Sequence, residues 1–483
     1  MNSTGIFYKP LDGWAGDFIP FYWDGEFHLF FLKDYRDPQR CGEGTPWFHI
    51  ATRDFLHFTD YGLTLPRGDP SAQDLYVFTG SVIEHQGRFH IFYTGHNPHL
   101  RQQGSPEQAV MHAVSENLRD WVKIPTDKFF APIDRFEPND WRDPFVFWNE
   151  AAGEFWMLLA ARLIDGPSRR RGCTALCASQ DLVHWEVRPT FWSPGMYYTH
   201  ECPDLFRMGD WWYLVFSEFS EACVTRYRMS RSLNGPWLIP SNDTFDGRAF
   251  YAAKTASDGL RRYIFGWNPT REGEREFRPW QWGGNLVVHE IHQQPDGTLT
   301  VSPPPVLVSA IGEKHPATWG DGFGPYHVLG GDVNLDASGR FTCVSAGSLS
   351  ETACITVRGI FSEDTSSCGV MLRTSSDFEQ GYYVRLEPSR QRLVFDTWPR
   401  AGDLPFLVEL ERPLDMQPGR PFQLTILVDG SICEVYADEK IALSARMYNH
   451  PAGNWGVFAV GGQVTFSALS VSDAILSLID CPA

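Results

Sequence analysis

The sequence predicts an all-β protein, a five-bladed β-propeller followed by a C-terminal β-sandwich, and three observations carry that expectation. A glycine followed by a dense aromatic-aliphatic run occurs five times in the first two thirds of the chain. Almost no stretch shows helical periodicity. After a proline cluster the repeat stops, while strand-like runs continue to the end.

The repeat opens as Gly25-Glu-Phe-His-Leu-Phe-Phe and returns at Gly87, Gly153, Gly209 and Gly259, at spacings of 62, 66, 56 and 50 residues. A second landmark follows the first four copies: Asp54 to Phe58, Asn117 to Trp121, Asp181 to Trp185 and Ser232 to Trp237. Each reads as a turn in which a short polar side chain bonds its own backbone and an aromatic closes the next strand. Repeats of ~40 to 65 residues, each with about four short strands, build a propeller when arranged radially. Residues 1–305, ending at Pro303-Pro304-Pro305, are therefore the expected five-bladed domain. Residues 306–325 are the expected linker, and 326–483 the expected sandwich, from runs such as Tyr382-Tyr-Val-Arg-Leu with Asp429-Gly430 supplying a turn.

The 483 residues carry 41 Lys and Arg against 59 Asp and Glu, a net charge of −18. A surface that acidic repels phosphate backbones and anionic headgroups, which excludes nucleic acid and membrane as partners. The aromatic share of 14% suits sugar stacking and β-cores alike. The start shows no basic segment followed by an apolar one, and no apolar run of ~18 residues occurs, so a soluble, cytoplasmic protein is expected. Ten cysteines are scattered along the chain; Cys173 and Cys177 have no second pair at zinc spacing, and all ten read as reduced thiols. The triplet Arg169, Arg170, Arg171 reads as a solvated loop tip.

A polar residue at the start of a blade's inner strand faces the axis shared by all blades. Eight residues before the repeated glycine stand Asp17, Thr79, Glu201 and Tyr251; in the third blade Asp143 stands ten before, behind a longer turn. Three carboxylates from three blades are expected to converge at one end of the channel. Any one acid alone suits a turn cap. Their shared position favours instead a cleft where like charges raise each other's pKa and create an acid and a base, with Arg142 holding one carboxylate ionised, as glycoside hydrolysis requires.

Trp141-Arg142-Asp143-Pro144 and Glu201-Cys202-Pro203-Asp204 resemble the Arg-Asp-Pro and Glu-Cys-Pro blocks of glycoside hydrolase family 32, the invertases, inulinases, levanases and fructan-acting transferases. The segments starting at Trp47 and Phe78, and Leu427 to Tyr436 of the second domain, are similar to further blocks of that family. The resemblance implies that Asp17 is the nucleophile, Glu201 the general acid/base and Asp143 the transition-state stabiliser beside Arg142. It places Trp47, Phe78, Thr79, Tyr251 and Trp267 at a fructose-binding subsite, with core packing the alternative for the last two. It implies a retaining β-fructofuranosidase-type enzyme acting on fructose-containing saccharides through a covalent fructosyl-enzyme, with no metal or organic cofactor. The alternatives are a fructotransferase, including one that closes a dianhydride, an inverting pentosidase of the arabinanase type, and a non-catalytic sugar- or protein-binding propeller.

The chain departs from the family in its first block. Trp14-Ala15-Gly16-Asp17 stands where the family has Trp-Met-Asn-Asp, and Leu32 stands where it has a Gln. Two polar contacts to the terminal fructose are lost, so either Lys33 or Asp34 substitutes or the substrate differs. Sucrose is the expected poor substrate, and Gly16→Asn with Leu32→Gln the expected restoration.

Overall fold

Each repeated glycine turns a hairpin. Gly25, Gly87, Gly153, Gly209 and Gly259 have φ between 56° and 91°, the left-handed region that a side chain strains, and each joins the first and second strands of one blade. In the first two blades Asp24 and Gln86 are left-handed as well, giving the two-residue turn whose twist matches its strands. The second landmark is a side-chain turn: Asp54 accepts the N–H groups of Leu56 and His57, Asn117 those of Arg119 and Asp120, and Asp181 those of Val183 and His184. The aromatics closing these turns, Phe58, Trp121 and Trp185, pack against the blade cores.

The computed structural model describes residues 5–400 and 408–472. Five antiparallel blades occupy 14–65, 76–123, 136–187, 201–230 and 251–302, here blades I to V. Blade IV has three strands, with isolated bridges of Met229 to Leu238 and Arg226 to Thr244 in place of a fourth. Ala15 of blade I pairs with Gly284 of blade V, which merges the first and last blades into one sheet.

The second domain is two packed antiparallel sheets around one apolar core. The segment expected as a linker is committed to both domains. It contains a short helix, Pro305–Ala310, whose Leu307 is buried in the propeller core together with Ile311. His315–Pro316 then pairs with Val471 and Ser470, and Gly322–Phe323 with Val344 and Cys343, so each sandwich sheet gains a strand from it. Alternating polar and small residues here gave no strand period, and long-range pairing decided the outcome.

One sandwich sheet presents Cys354, Leu427, Ile432, Tyr436 and Ala442 to the propeller core. Polar groups fix the docking. Buried Arg446 donates to the carbonyls of Asn268 and Pro269 and to the side-chain oxygens of Asn268 and Asn285. The nine described cysteines form no disulfide, Cys173 and Cys177 being buried in the core of blade III; Cys481 lies outside the described residues. No described helix is long and apolar enough to cross a membrane.

Candidate active site

In every blade the inner strand breaks its ladder at the same level. In blades I, III, IV and V the inner strand advances three residues while its partner advances two: Gly16 to Ile19, Arg142 to Phe145, Glu201 to Asp204 and Tyr251 to Lys254. In blade II Thr79 alone is the extra residue. The first bulged residue is left-handed in four blades, with φ of 50° at Asp17, 60° at Asp143, 50° at Cys202 and 50° at Ala252. Bulges of this kind re-aim side chains and recur beside active sites.

This register corrects the counting. Asp17, Thr79 and Asp143 are equivalent, but Glu201 and Tyr251 stand one residue earlier, level with Gly16 and Arg142. The glycine is the first residue of the two-residue turn in blade IV and the second in blades I and II. In blade V the inner strand ends one residue sooner, before a four-residue turn. A fixed offset from the glycine therefore lands one residue early in both. Two acids therefore project from bulge positions, and the third from the last paired position before a bulge.

All three reach one cavity of about 430 Å³, lined also by Phe78, His96, Arg142, Tyr251, Leu32, Asp34 and Trp282. Glu201 is held at both oxygens: Arg142 donates to Oε1 at 3.0 Å and the Tyr251 hydroxyl to Oε2 at 2.6 Å. Thr79 Oγ1 donates to Asp17 Oδ2 at 2.6 Å, and the Cys202 N–H to Asp143 Oδ2 at 2.9 Å. Arg142 also donates to Asp140 Oδ1 at 2.8 Å.

Burial pushes the Asp17 carboxyl up to about 7. Asp143 and Glu201 add to that rise, and the Thr79 hydroxyl opposes it. The Trp267 indole N–H works in the same direction as Thr79, though it falls short of full hydrogen-bond geometry. Burial likewise raises Asp143 to about 6, with Arg142 resisting and Glu201 assisting. Burial alone would lower the pKa of Arg142, but the three surrounding carboxylates outweigh it and keep the guanidinium charged. His96, stacked on Phe78 at 4.6 Å, is depressed to about 4 by burial and by Arg142, so it stays neutral.

Among the residues expected at a sugar subsite, Phe78 and Tyr251 line the cavity. Thr79 acts on it through Asp17. Trp47 does not reach it: the ring is fully buried, and its N–H donates to the carbonyls of Val77 and Phe78. Its role is to back Phe78 from the core, because the strand starting at Trp47 lies third from the axis. Trp267 is nearly buried, wedged between Tyr251 and Trp282.

The two departures of the first block are cross-strand partners, since Gly16 pairs with Leu32. A Cβ at Gly16 would lie 2.6 Å from Trp282 Cζ2. Trp282 therefore fills the volume that a side chain at position 16 would occupy, and with Leu32 it makes the wall beside Asp17 apolar. Lys33 cannot supply the missing contact: it is buried, pairs with Asp12 and lies over the Phe48 ring. Asp34 does line the cavity. Trp282 escapes sequence reasoning because it sits on the third strand of its blade, outside the repeat that located the acids.

Two other features carry no paired acid and base in a cleft. A cavity of about 820 Å³ lies past the bulges along the same inner strands, between Pro20 to Tyr22, Phe145 to Trp148 and Leu205 to Arg207; its buried carboxylate, Asp204, accepts the Thr255 N–H. Asp246, His289 and Glu434 form a buried group close enough to hold a cation. Their atoms are already engaged: Asp246 with His289 and Ser444, and Glu434 with Asn268 and Ser444. They tie the sandwich to blade V.

Three carboxylates brought from separate blades to one cavity are an arrangement that glycoside hydrolysis can use. Residues 8–303 match the model of the glycosyl hydrolases family 32 N-terminal domain, and residues 330–473 that of the family 32 C-terminal domain. The chain belongs to glycosyl hydrolase family 32. It is 25% identical to a levanbiose-producing levanase of Bacillus subtilis (strain 168), over 95% of this chain and 88% of that one. It is 26% identical to a sucrose-6-phosphate hydrolase of Vibrio alginolyticus, over 61% of each chain. Its fold superimposes on a fructan 1-exohydrolase IIa of Cichorium intybus in complex with 1-kestose, with a TM-score of 0.74, 17% identity and 98% of both chains covered.

Proposed function

We propose that this protein is a retaining β-fructofuranosidase-type hydrolase of fructose-containing saccharides, with Asp17 as nucleophile, Glu201 as general acid/base and Asp143 as the stabiliser of positive charge. The family is one of glycoside hydrolases that act on fructosides, and a fructosyl hydrolase is the activity its members support here. One observation carries the division of labour. Thr79 fixes one oxygen of Asp17, while Arg142 and Tyr251 fix both oxygens of Glu201, so two carboxylates are oriented independently toward one cavity.

With Oδ2 held by Thr79, Asp17 attacks the anomeric C2 of a fructosyl unit through Oδ1. The bond from C2 to the leaving oxygen breaks as Glu201 delivers its proton to that oxygen. Asp143 faces the positive charge that develops on the ring. In the second half, Glu201, now a carboxylate, takes a proton from water as the water oxygen attacks C2, and Asp17 leaves as a carboxylate.

The test is Glu201→Gln assayed on a short fructan and on a fructoside with an activated aryl leaving group. Cleavage of the fructan is expected to fall by at least ~10³-fold while the aryl fructoside retains most of its glycosylation rate, because that group departs without a proton. Equal losses on both substrates would remove Glu201 from the acid role.

A further inference from the structure

The loops that leave the second strands of blades III and IV, with the segment that enters blade IV through Met196 and Tyr198, line a separate cavity of about 500 Å³ with Arg169, Arg170, Phe219 and Glu221. These loops emerge at the face where the catalytic carboxylates stand, since Glu201 pairs with Ser217 and Arg142 with Ala160 near the ends of those second strands. A continuous hydrogen-bonded wall joins the two cavities. Arg162 donates to the Tyr198 hydroxyl at 2.8 Å and to Asp140 Oδ2 at 3.2 Å, and Arg142 donates to Asp140 Oδ1 and to Glu201. The second cavity is thus linked to Glu201 through Arg162, Asp140 and Arg142.

Its chemistry is that of a sugar platform. Phe219 is 47% exposed and forms a corner with Tyr198, ring centroids 5.6 Å apart. The loop that carries it is pinned, because buried Glu218 accepts the N–H groups of Glu221 and Ala222. At the rim Arg170 and Glu221 stand 3.7 Å apart, a donor beside an acceptor. A neutral saccharide uses all of this: an apolar ring face stacks on the aromatic, and hydroxyls both give and receive. A phosphate finds less here, because the Glu221 carboxylate offsets Arg170 and Arg171 is engaged by Glu137 at 2.8 Å, which leaves Arg169 as the one excess charge of the lining.

Resting on the functional reading above, we infer that this cavity binds the leaving portion of the substrate as a neutral sugar unit, so that the enzyme's substrate class is a fructose-containing oligosaccharide and not a phosphorylated disaccharide. Arg169 and Arg170 stand on the exposed loop tip that the sequence predicts and also line this cavity, while Arg171 pairs with Glu137. Arg162 and Asp140 are positioning residues that link the two cavities.

The experiment compares kcat/KM of the parent, Phe219→Ala and Phe219→Tyr on a fructan trisaccharide, an aryl fructoside, sucrose and sucrose 6-phosphate. In Phe219→Ala the ratio of trisaccharide to aryl fructoside efficiency is expected to fall at least ~10-fold, carried by KM, with Phe219→Tyr restoring it. An unchanged ratio overturns the inference and leaves the hydrolase reading intact. So does a parent that prefers sucrose 6-phosphate to sucrose by ~10-fold and loses that preference on Arg169→Gln with Arg170→Gln. A parent inactive on every fructoside overturns the functional reading itself.

Discussion

At Asp17 a carboxyl of the candidate site is held buried at the expense of stability. Its value of about 7 in the folded chain stands above the ordinary ~3.9, so the folded state holds an extra proton between those values and stability falls as pH rises through that window. Asp17→Asn is expected to cut turnover by several powers of ten. It is also expected to unfold at a higher temperature than the parent at pH 8, by ~1 to 3 kcal/mol of stability once partial exposure is discounted, with little difference near pH 3.5. Thermal melts at the two pH values check the sign, and an Asn variant less stable at pH 8 would refute it. Gly16 carries a second expectation, which revises the one drawn from the family pattern. With Trp282 Cζ2 only 2.6 Å from the place a Cβ would take at position 16, Gly16→Asn displaces the ring and lowers kcat/KM at least ~10-fold. Trimming the ring as Trp282→Ala in the same chain recovers part of that loss, a coupling of at least ~1.4 kcal/mol in a double-mutant cycle. Independent, additive effects would show that the two residues do not share the space.

The inner-strand bulge is the element that builds this site, and glycine permits its neighbours to close on it. Gly284 pairs with both Ala15 and Pro269, and a Cβ there would lie 1.8 Å from the Asn268 carbonyl oxygen. Backbone cannot yield as a flexible side chain can. Gly284→Ala is therefore expected to destabilise by ~3 kcal/mol or more and to loosen the seam between blades I and V. Gly259→Ala, at a hairpin with open space around it and φ of 91°, is expected to cost only about 1 to 2 kcal/mol. Denaturant midpoints for the two variants test the ordering; equal losses would mean that the seam tolerates a side chain.

Across the whole molecule the sandwich acts as a brace for blade V. Arg446 reaches from the sandwich to Asn268, Pro269 and Asn285, which flank the ladder that carries Trp267 and Trp282. Replacing it with Met leaves several buried oxygens without a donor, at about 1 to 3 kcal/mol for each one left unsatisfied. Arg446→Met is expected to lower stability by at least ~3 kcal/mol and to raise KM for fructosides through a slackened blade V. A variant with parental melting and KM would confine Arg446 to a passive contact.

The sequence by itself determined what is local or repeated. Gly25 and its four counterparts, the Asp54 and Asp181 turns and the apolar inner strands each carry their signal within a few residues, so the blades and their number were legible. Asp17, Asp143, Glu201 and Arg142 were legible because each stands beside a repeated strand start. Only the tertiary structure decided the register that sets Glu201 one residue apart from Asp17, since a bulge is fixed by pairing with another strand. It alone withdrew Trp47 into the core, brought Trp282 over Gly16 and folded the segment after Pro305 into both domains. It also set Phe219 against Tyr198, which Arg162, Asp140 and Arg142 link to Glu201. These depend on which distant surfaces meet, and side-chain volume and hydrogen-bond demand settle that only when the whole chain has closed.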